Sequence, residues 1–160
     1  MANSPGLRPV RLPLIDRLLG DQDLPKTRAE SVRRMRNAVR RDLEWLLNSR
    51  RPADELPEGC TEVEKSVHWY GLPDIFSQNL SSQADRAALV RTIQSAIASF
   101  EPRLAAAKVS LAPGPEESLP QLRFIIEGLL RMDPTPERVS FDTVLEVLDG
   151  AYHVRGEAGD

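Results

Sequence analysis

Three acids in this sequence, Asp74, Glu101 and Glu127, stand beside apolar residues, the setting in which a carboxyl group can be retuned for acid or base chemistry. Cleaving a glycoside needs two such groups about 5 to 10 Å apart, one of them with a raised pKa. The chain holds 24 acids, so acids next to apolar residues arise by chance, and no spacing singles out a pair. Nucleophilic chemistry is no better supported. Cys60 lies in a polar stretch with nothing around it to pair it with His68, and there is no glycine-rich phosphate loop and no nucleophile elbow. His68 and His153 are the only histidines, and no Cys, His and acid cluster has metal-ligand spacing. The residues therefore predict no catalytic group, no metal and no cofactor.

One charged arrangement does stand out. Glu101 and Arg103 straddle Pro102 in Phe100-Glu101-Pro102-Arg103-Leu104. Proline removes a backbone donor and disfavours the α conformation of the residue before it, so the chain turns a stiff corner there. Charges on a stiff corner lose little entropy on pairing. Two readings follow from the residues alone: an internal cap in which Glu101 or Arg103 ties the helix end to the sheet, or a contact for a partner.

The elements on either side define the corner. Ser82-Gln83-Ala84-Asp85 has the form of a capping box, and Leu89, Val90, Ile93, Ala96, Ile97 and Phe100 follow at helical spacing, so a helix runs from about Ser82 to Glu101. Beyond the corner the period changes to two. Ala105, Ala107, Val109 and Leu111 alternate with Ala106, Lys108 and Ser110 in a strand closed by Pro113-Gly114-Pro115, and Leu122, Phe124 and Ile126 alternate in the next. Val139 to Leu148 fits either period, and Asp149-Gly150 decides it. That pair favours a two-residue hairpin, which would set Val147 opposite Tyr152, Leu145 opposite Val154 and Glu146 opposite His153.

The first half is helical. Val32, Met35, Val39, Leu43 and Leu46 recur at three- and four-residue steps between about Thr27 and Leu47, with most arginines off that stripe. Before it, Leu12 to Leu19 reads as a short apolar anchor whose Leu14, Ile15, Leu18 and Leu19 need covering by the domain or by a partner. Ser66 to Gly71 reads as a brief strand or extended segment, with Trp69 and Tyr70 packing in the core. The sum is an α+β domain: two or three N-terminal helices packed on a mostly antiparallel sheet of about four strands. Residues 12–155 are expected to form this one domain, with flexible tails at 1–11 and 156–160.

Charge and composition narrow the function classes. The net charge is −3, but Met1 to Arg51 holds twelve Lys and Arg against six Asp and Glu, a local +6 that the rest reverses. Such a basic end is either a solvated helix face or an arm for an acidic partner. No nucleic-acid motif accompanies it, so nucleic acid is not the expected partner. A single cysteine permits no internal disulfide, no stretch has the apolar core of a signal peptide, and none is long enough to span a membrane. The expected location is cytoplasmic, with no membrane insertion.

Four stretches taken in order resemble a known family. They are Leu14-Ile15-Asp16-Arg17-Leu18, the run Val39 to Arg50 with Arg40-Arg41-Asp42-Leu43-Glu44-Trp45-Leu46-Leu47-Asn48-Ser49 at its centre, Ser66 to Asp74 with Tyr70-Gly71-Leu72-Pro73, and Phe100-Glu101-Pro102-Arg103-Leu104. Together they resemble the TssE subunits of the bacterial type VI secretion baseplate, a family similar to the small wedge protein of contractile phage tails. The resemblance covers about Leu12 to Val154. It implies a structural subunit docked near the inner membrane, with wedge partners TssF, TssG and TssK, whose sheet helps lay the first ring of the TssB/TssC sheath. It also implies that Glu101, Pro102 and Arg103 contribute to wedge assembly. The family carries the label "lysozyme-like", and the missing carboxylate pair argues against inheriting it. The rival readings are a peptidoglycan-cleaving hydrolase and an anti-adaptor binding module on the same fold.

Overall fold

The computed structural model describes residues 13–18, 25–53, 59–74, 82–112, 121–147 and 149–156. Four α-helices, α1 (Leu14–Leu18), α2 (Arg28–Asn48), α3 (Thr61–Glu64) and α4 (Gln83–Phe100), precede four strands, β1 (Leu104–Leu111), β2 (Gln121–Leu130), β3 (Glu137–Glu146) and β4 (Ala151–Arg155). The strands form one antiparallel sheet in sequence order. The architecture is α+β, as the periodicity predicts, with α2 and α4 as the two long helices. The expected tails, the Leu19-Gly20 end of the anchor, Ile75-Phe76 and the Pro113-Gly114-Pro115 loop lie outside the described residues, Gly156 excepted.

Both long helices start on a hydroxyl cap. Thr27 accepts the Glu30 amide and Ser82 accepts the Asp85 amide, each relieving one of the free donors of a first turn. Glu30 reaches back to the Lys26 amide at 2.9 Å, and this bond is the main reason that its carboxyl is held below the usual range. Met35, Val39, Leu43, Leu46 and Leu47 of α2 and Leu89, Ile93 and Ile97 of α4 share a core with Phe124, Ile126, Leu130, Phe141, Leu145 and Tyr152 of the sheet.

Three details depart from the sequence reading. Ser66 to Gly71 is not extended: Val67–Trp69 forms a 3-10 turn closed by Trp69 and Tyr70 amides on Ser66 and Val67 carbonyls. Tyr70 does pack on the core, edge-on to Phe100 at 5.3 Å, but Trp69 is only half-buried. Its ring lies under the Arg51 guanidinium at 4.9 Å, at the rim of a cavity of about 410 Å³ that Arg91 and Ser95 also line. The simple alternation in β1 breaks as well. A bulge between Ala105 and Lys108, with Ala106 at φ 50, reverses the phase, so Leu104 and Val109 both face the core despite their odd separation.

The third departure is the β3–β4 hairpin register. Gly150, at φ 68, donates to the Glu146 carbonyl at 2.7 Å, and Glu146 with Ala151 is the last pair of the ladder, so the connection is longer than the two-residue turn expected. Leu145 therefore faces Tyr152, Thr143 faces Val154 and Glu146 faces Ala151. The slip is two residues, one full side-chain period, so the apolar faces stay inward. His153 now meets Glu146 diagonally, at 3.9 Å, with Glu44 of α2 at 3.8 Å on its other ring nitrogen.

Tyr152 is fully buried and, among the described residues, its hydroxyl has no hydrogen-bond partner; burial drives its pKa upward. An unpaired buried hydroxyl costs about 1–3 kcal/mol. Tyr152→Phe is expected to raise stability by about 1 kcal/mol in a urea titration. A loss of stability would mean that the hydroxyl is satisfied in solution.

Candidate functional site

Helix α4 ends where the sequence requires. Glu101 is its C-cap, at φ −122, donating its amide to the Ile97 carbonyl, and Pro102-Arg103 makes the turn that Leu104 closes on the Glu101 carbonyl at 3.1 Å. The Arg103 carbonyl accepts from the Arg131 amide at 2.8 Å, which fastens the corner to the end of β2. The three side chains meet different surroundings. Glu101 is 4% exposed, Arg103 is half-buried and Pro102 is exposed.

The buried carboxylate is paired in full. Arg103 Nε donates to Glu101 Oε1 at 2.6 Å, and Nη2 makes a close ion pair with Oε2. The same Nη2 donates to Asp42 Oδ2 of α2 at 2.6 Å. Burial alone would lower the Arg103 pKa, and the bonds from Glu101 and Asp42 outweigh it and hold the guanidinium charged. Burial raises the Tyr70 phenol, and Asp42 and Glu101 add to the effect. Asp42 then turns its other oxygen to Arg41 Nε at 3.1 Å, and Arg41 Nη1 reaches Asp16 of α1 at 2.5 Å, which chiefly raises the Arg41 pKa. Arg41 also lies over the Trp45 ring at 5.1 Å. Five alternating charges, Glu101, Arg103, Asp42, Arg41 and Asp16, thus run from the corner across α2 to α1.

Glu101 and Arg103 do pair internally, but their side chains tie the corner to α2 through Asp42 and not to the sheet, while Pro102 stays exposed. The three acids singled out as chemical candidates are not brought together as a pair: Glu101 is bound by Arg103, Glu127 is exposed on β2 opposite Lys108, and Asp74 follows the 3-10 turn. Sequence reasoning missed Asp42, Arg41 and Asp16. The available signal was the Arg41-Asp42 pair on a helix that also had to pack, with Asp16 as the acid inside an otherwise apolar anchor.

The basic helix face has an internal use that neither sequence reading foresaw. Arg28 donates to Glu137 at 2.7 Å and to the Thr135 carbonyl at 2.8 Å, Arg40 to the Val154 carbonyl at 3.1 Å, and Arg50 to the Gly150 carbonyl at 3.0 Å. Asn48 exchanges two bonds of 2.9 Å with the Tyr152 backbone. These side chains fasten α2 and the turn after it to the start of β3 and to β4 with the loop before it, while Arg33 stays exposed.

The second and third motifs meet beside the same helix end. Leu72 donates to the Ser49 carbonyl at 2.9 Å and accepts from Arg51 at 3.0 Å, a parallel bridge that buries Leu72 completely.

A family model described as baseplate wedge protein gp25 matches residues 33–135, which include α2 from Arg33 onward, the Leu72 bridge, α4, the Glu101–Arg103 corner and the first two strands. The chain belongs to the baseplate wedge protein gp25 family. A structural role in a phage-tail-like baseplate, in assembly with other baseplate subunits, follows from that membership. No curated protein matches the chain. Among the described residues of this gp25-family chain, no helix is long and apolar enough to cross a membrane. The anchor helix α1 lies ahead of the family match, and its Leu14 and Leu18 are 67% and 76% exposed.

Proposed function

We propose that this protein is a non-catalytic wedge subunit of a cytoplasmic type VI secretion baseplate that joins TssF, TssG and TssK and helps start TssB/TssC sheath polymerisation. The observation that carries the reading is the corner itself. A proline is displayed at the joint of helix and sheet while the charges on either side of it are locked in place, which suits a rigid contact made at low entropic cost. Glu101 has both oxygens engaged by a guanidinium, a poor arrangement for proton transfer and a good one for holding shape.

The sheet supports the sheath part of the proposal. Strand β4 pairs only with Asp142–Glu146 of β3, so among the described residues Glu137–Phe141 have no strand on that side. An edge of unpaired amides and carbonyls is a template that an incoming strand can extend. In cells that carry the secretion system, removal of this chain is expected to abolish fluorescent TssB sheath structures, and complementation to restore them. Purified protein is expected to release no fragments from peptidoglycan. Normal sheaths without the chain, or cell-wall cleavage with it, would refute the reading.

A further inference from the structure

We propose that Asp42 is a positioning residue for the Glu101–Pro102–Arg103 corner, and that through Arg41 it couples the corner to the placement of α1. Asp42 is the only member of the charge series that touches both arms: Oδ2 accepts from Arg103 at 2.6 Å and Oδ1 from Arg41 at 3.1 Å. Its side chain is 20% exposed, so water only partly screens these bonds. Arg41 in turn holds Asp16 at 2.5 Å, and the described contacts give α1 one backbone bond to the residue before it, from Arg17 to the Pro13 carbonyl. A five-residue helix is marginal by itself, and none of its residues is buried. Its position therefore depends on the Asp16–Arg41 pair, and that pair's geometry depends on Asp42.

The helical period fixes what this placement displays. Asp16 is two residues from both Leu14 and Leu18, about 200° around the helix, so pinning Asp16 to α2 turns both leucines away from it. Losing Asp42 would free Arg103 on one side and α1 on the other. The glutamate at 101 and the aspartate at 16 do not touch, yet they would report the same event.

Asp42→Asn keeps the size and removes the charge. In the full chain, trypsin cleavage after Arg17, followed by mass spectrometry, is expected to speed up about three- to tenfold in Asp42→Asn and in Asp16→Asn, a size set by one or two partly exposed ion pairs. Arg103→Lys, which loses the fork that serves Glu101 and Asp42 at once, is expected to speed cleavage in the same direction by a smaller factor. Global stability, read from the urea midpoint, serves as the control for general loosening. Cleavage at the unaltered rate in Asp42→Asn would overturn the coupling, and so would an increase seen equally at sites in α2 and α4.

The assembly arm rests on the proposed function and is read separately. Asp42→Asn is expected to lower capture of a purified TssF–TssG complex about threefold or more, and Asp42→Glu to recover part of it. If the unaltered chain captures no TssF–TssG, the proposed function fails while the cleavage result still decides the coupling. Capture by Asp42→Asn equal to that of the unaltered chain would remove the positioning role.

Discussion

Arg103→Ala is expected to destabilise the protein by about 3 kcal/mol, and Glu101→Ala by only about 1 kcal/mol. The asymmetry comes from burial. Without Arg103 the Glu101 carboxylate, 5% exposed along its side chain, has no guanidinium on either oxygen, and Asp42 keeps only Arg41 of its two partners. Breaking a buried ion pair from that side costs about 3–5 kcal/mol, and the partial exposure of Arg103 places this case at the lower end. Without Glu101 two bonds to the guanidinium are lost, but it stays bonded to Asp42 and reaches solvent, so no buried charge is left without a partner. Urea unfolding of the two variants measures both values. Equal losses, or a larger one for Glu101→Ala, would show that the carboxylate at 101 finds other partners.

Gly71→Ala is expected to cost about 3 kcal/mol or more, with most of the loss from crowding. Gly71 has φ +110, a region that residues with a Cβ rarely adopt. A Cβ there would lie 2.5 Å from the Ser49 carbonyl oxygen and 2.7 Å from its carbon, and this is backbone that cannot swing aside. The same carbonyl accepts the Leu72 amide, so any shift loosens the bridge that seats a fully buried leucine at the end of α2. Gly59 supplies the internal comparison. It has φ +88 but open space around its α-carbon, so Gly59→Ala is expected to cost only about 1 kcal/mol of backbone strain. Thermal or urea unfolding of both variants distinguishes strain from collision, and similar losses at the two sites would contradict this account of Gly71.

The sequence was most legible where one residue acts on its own neighbours. Thr27 and Ser82 mark helix starts because a hydroxyl serves amides three residues on, and Pro102 marks a corner through its own ring. The alternation in β2 survives because that strand has one face in the core, and in β3 it holds up to Thr143, after which Val144 is buried on the other face. Reading failed where the outcome depended on geometry the residue types do not encode. Three alanines in a row give no sign that Ala106 takes φ 50 and reverses the phase of β1. Asp149-Gly150 correctly signalled a turn, yet a bond from Gly150 back to Glu146 enlarged the loop and moved each partner by two residues.

The candidate site divides in the same way. Its corner was visible because Glu101, Pro102 and Arg103 are adjacent, and the two readings of their charges could not be separated until burial was known. Its extension was hidden, because Asp42 lies 61 residues from Arg103 and Asp16 lies 25 residues from Arg41, distances over which pairing reflects packing of α2 against its neighbours. The arginines of α2 and Arg50 after it illustrate the same limit: a net positive stretch that reads as a solvated face or as an arm for an acidic partner is in large part bonded to Glu137, Asp16 and the carbonyls of β4 and its loop.

The central claim is that the exposed apex of the Glu101–Pro102–Arg103 corner is a wedge contact. It is tested most directly by Pro102→Glu, which changes the exposed residue and leaves the Glu101–Arg103–Asp42 bonds in place, using purified TssF–TssG complex as the bait and the thermal midpoint as a check on the fold. The account predicts that the variant keeps the midpoint of the unaltered chain to within about 4 °C, the equivalent of about 1 kcal/mol or less, and loses at least tenfold in capture. Capture of TssF–TssG by folded Pro102→Glu at the level of the unaltered chain would contradict it.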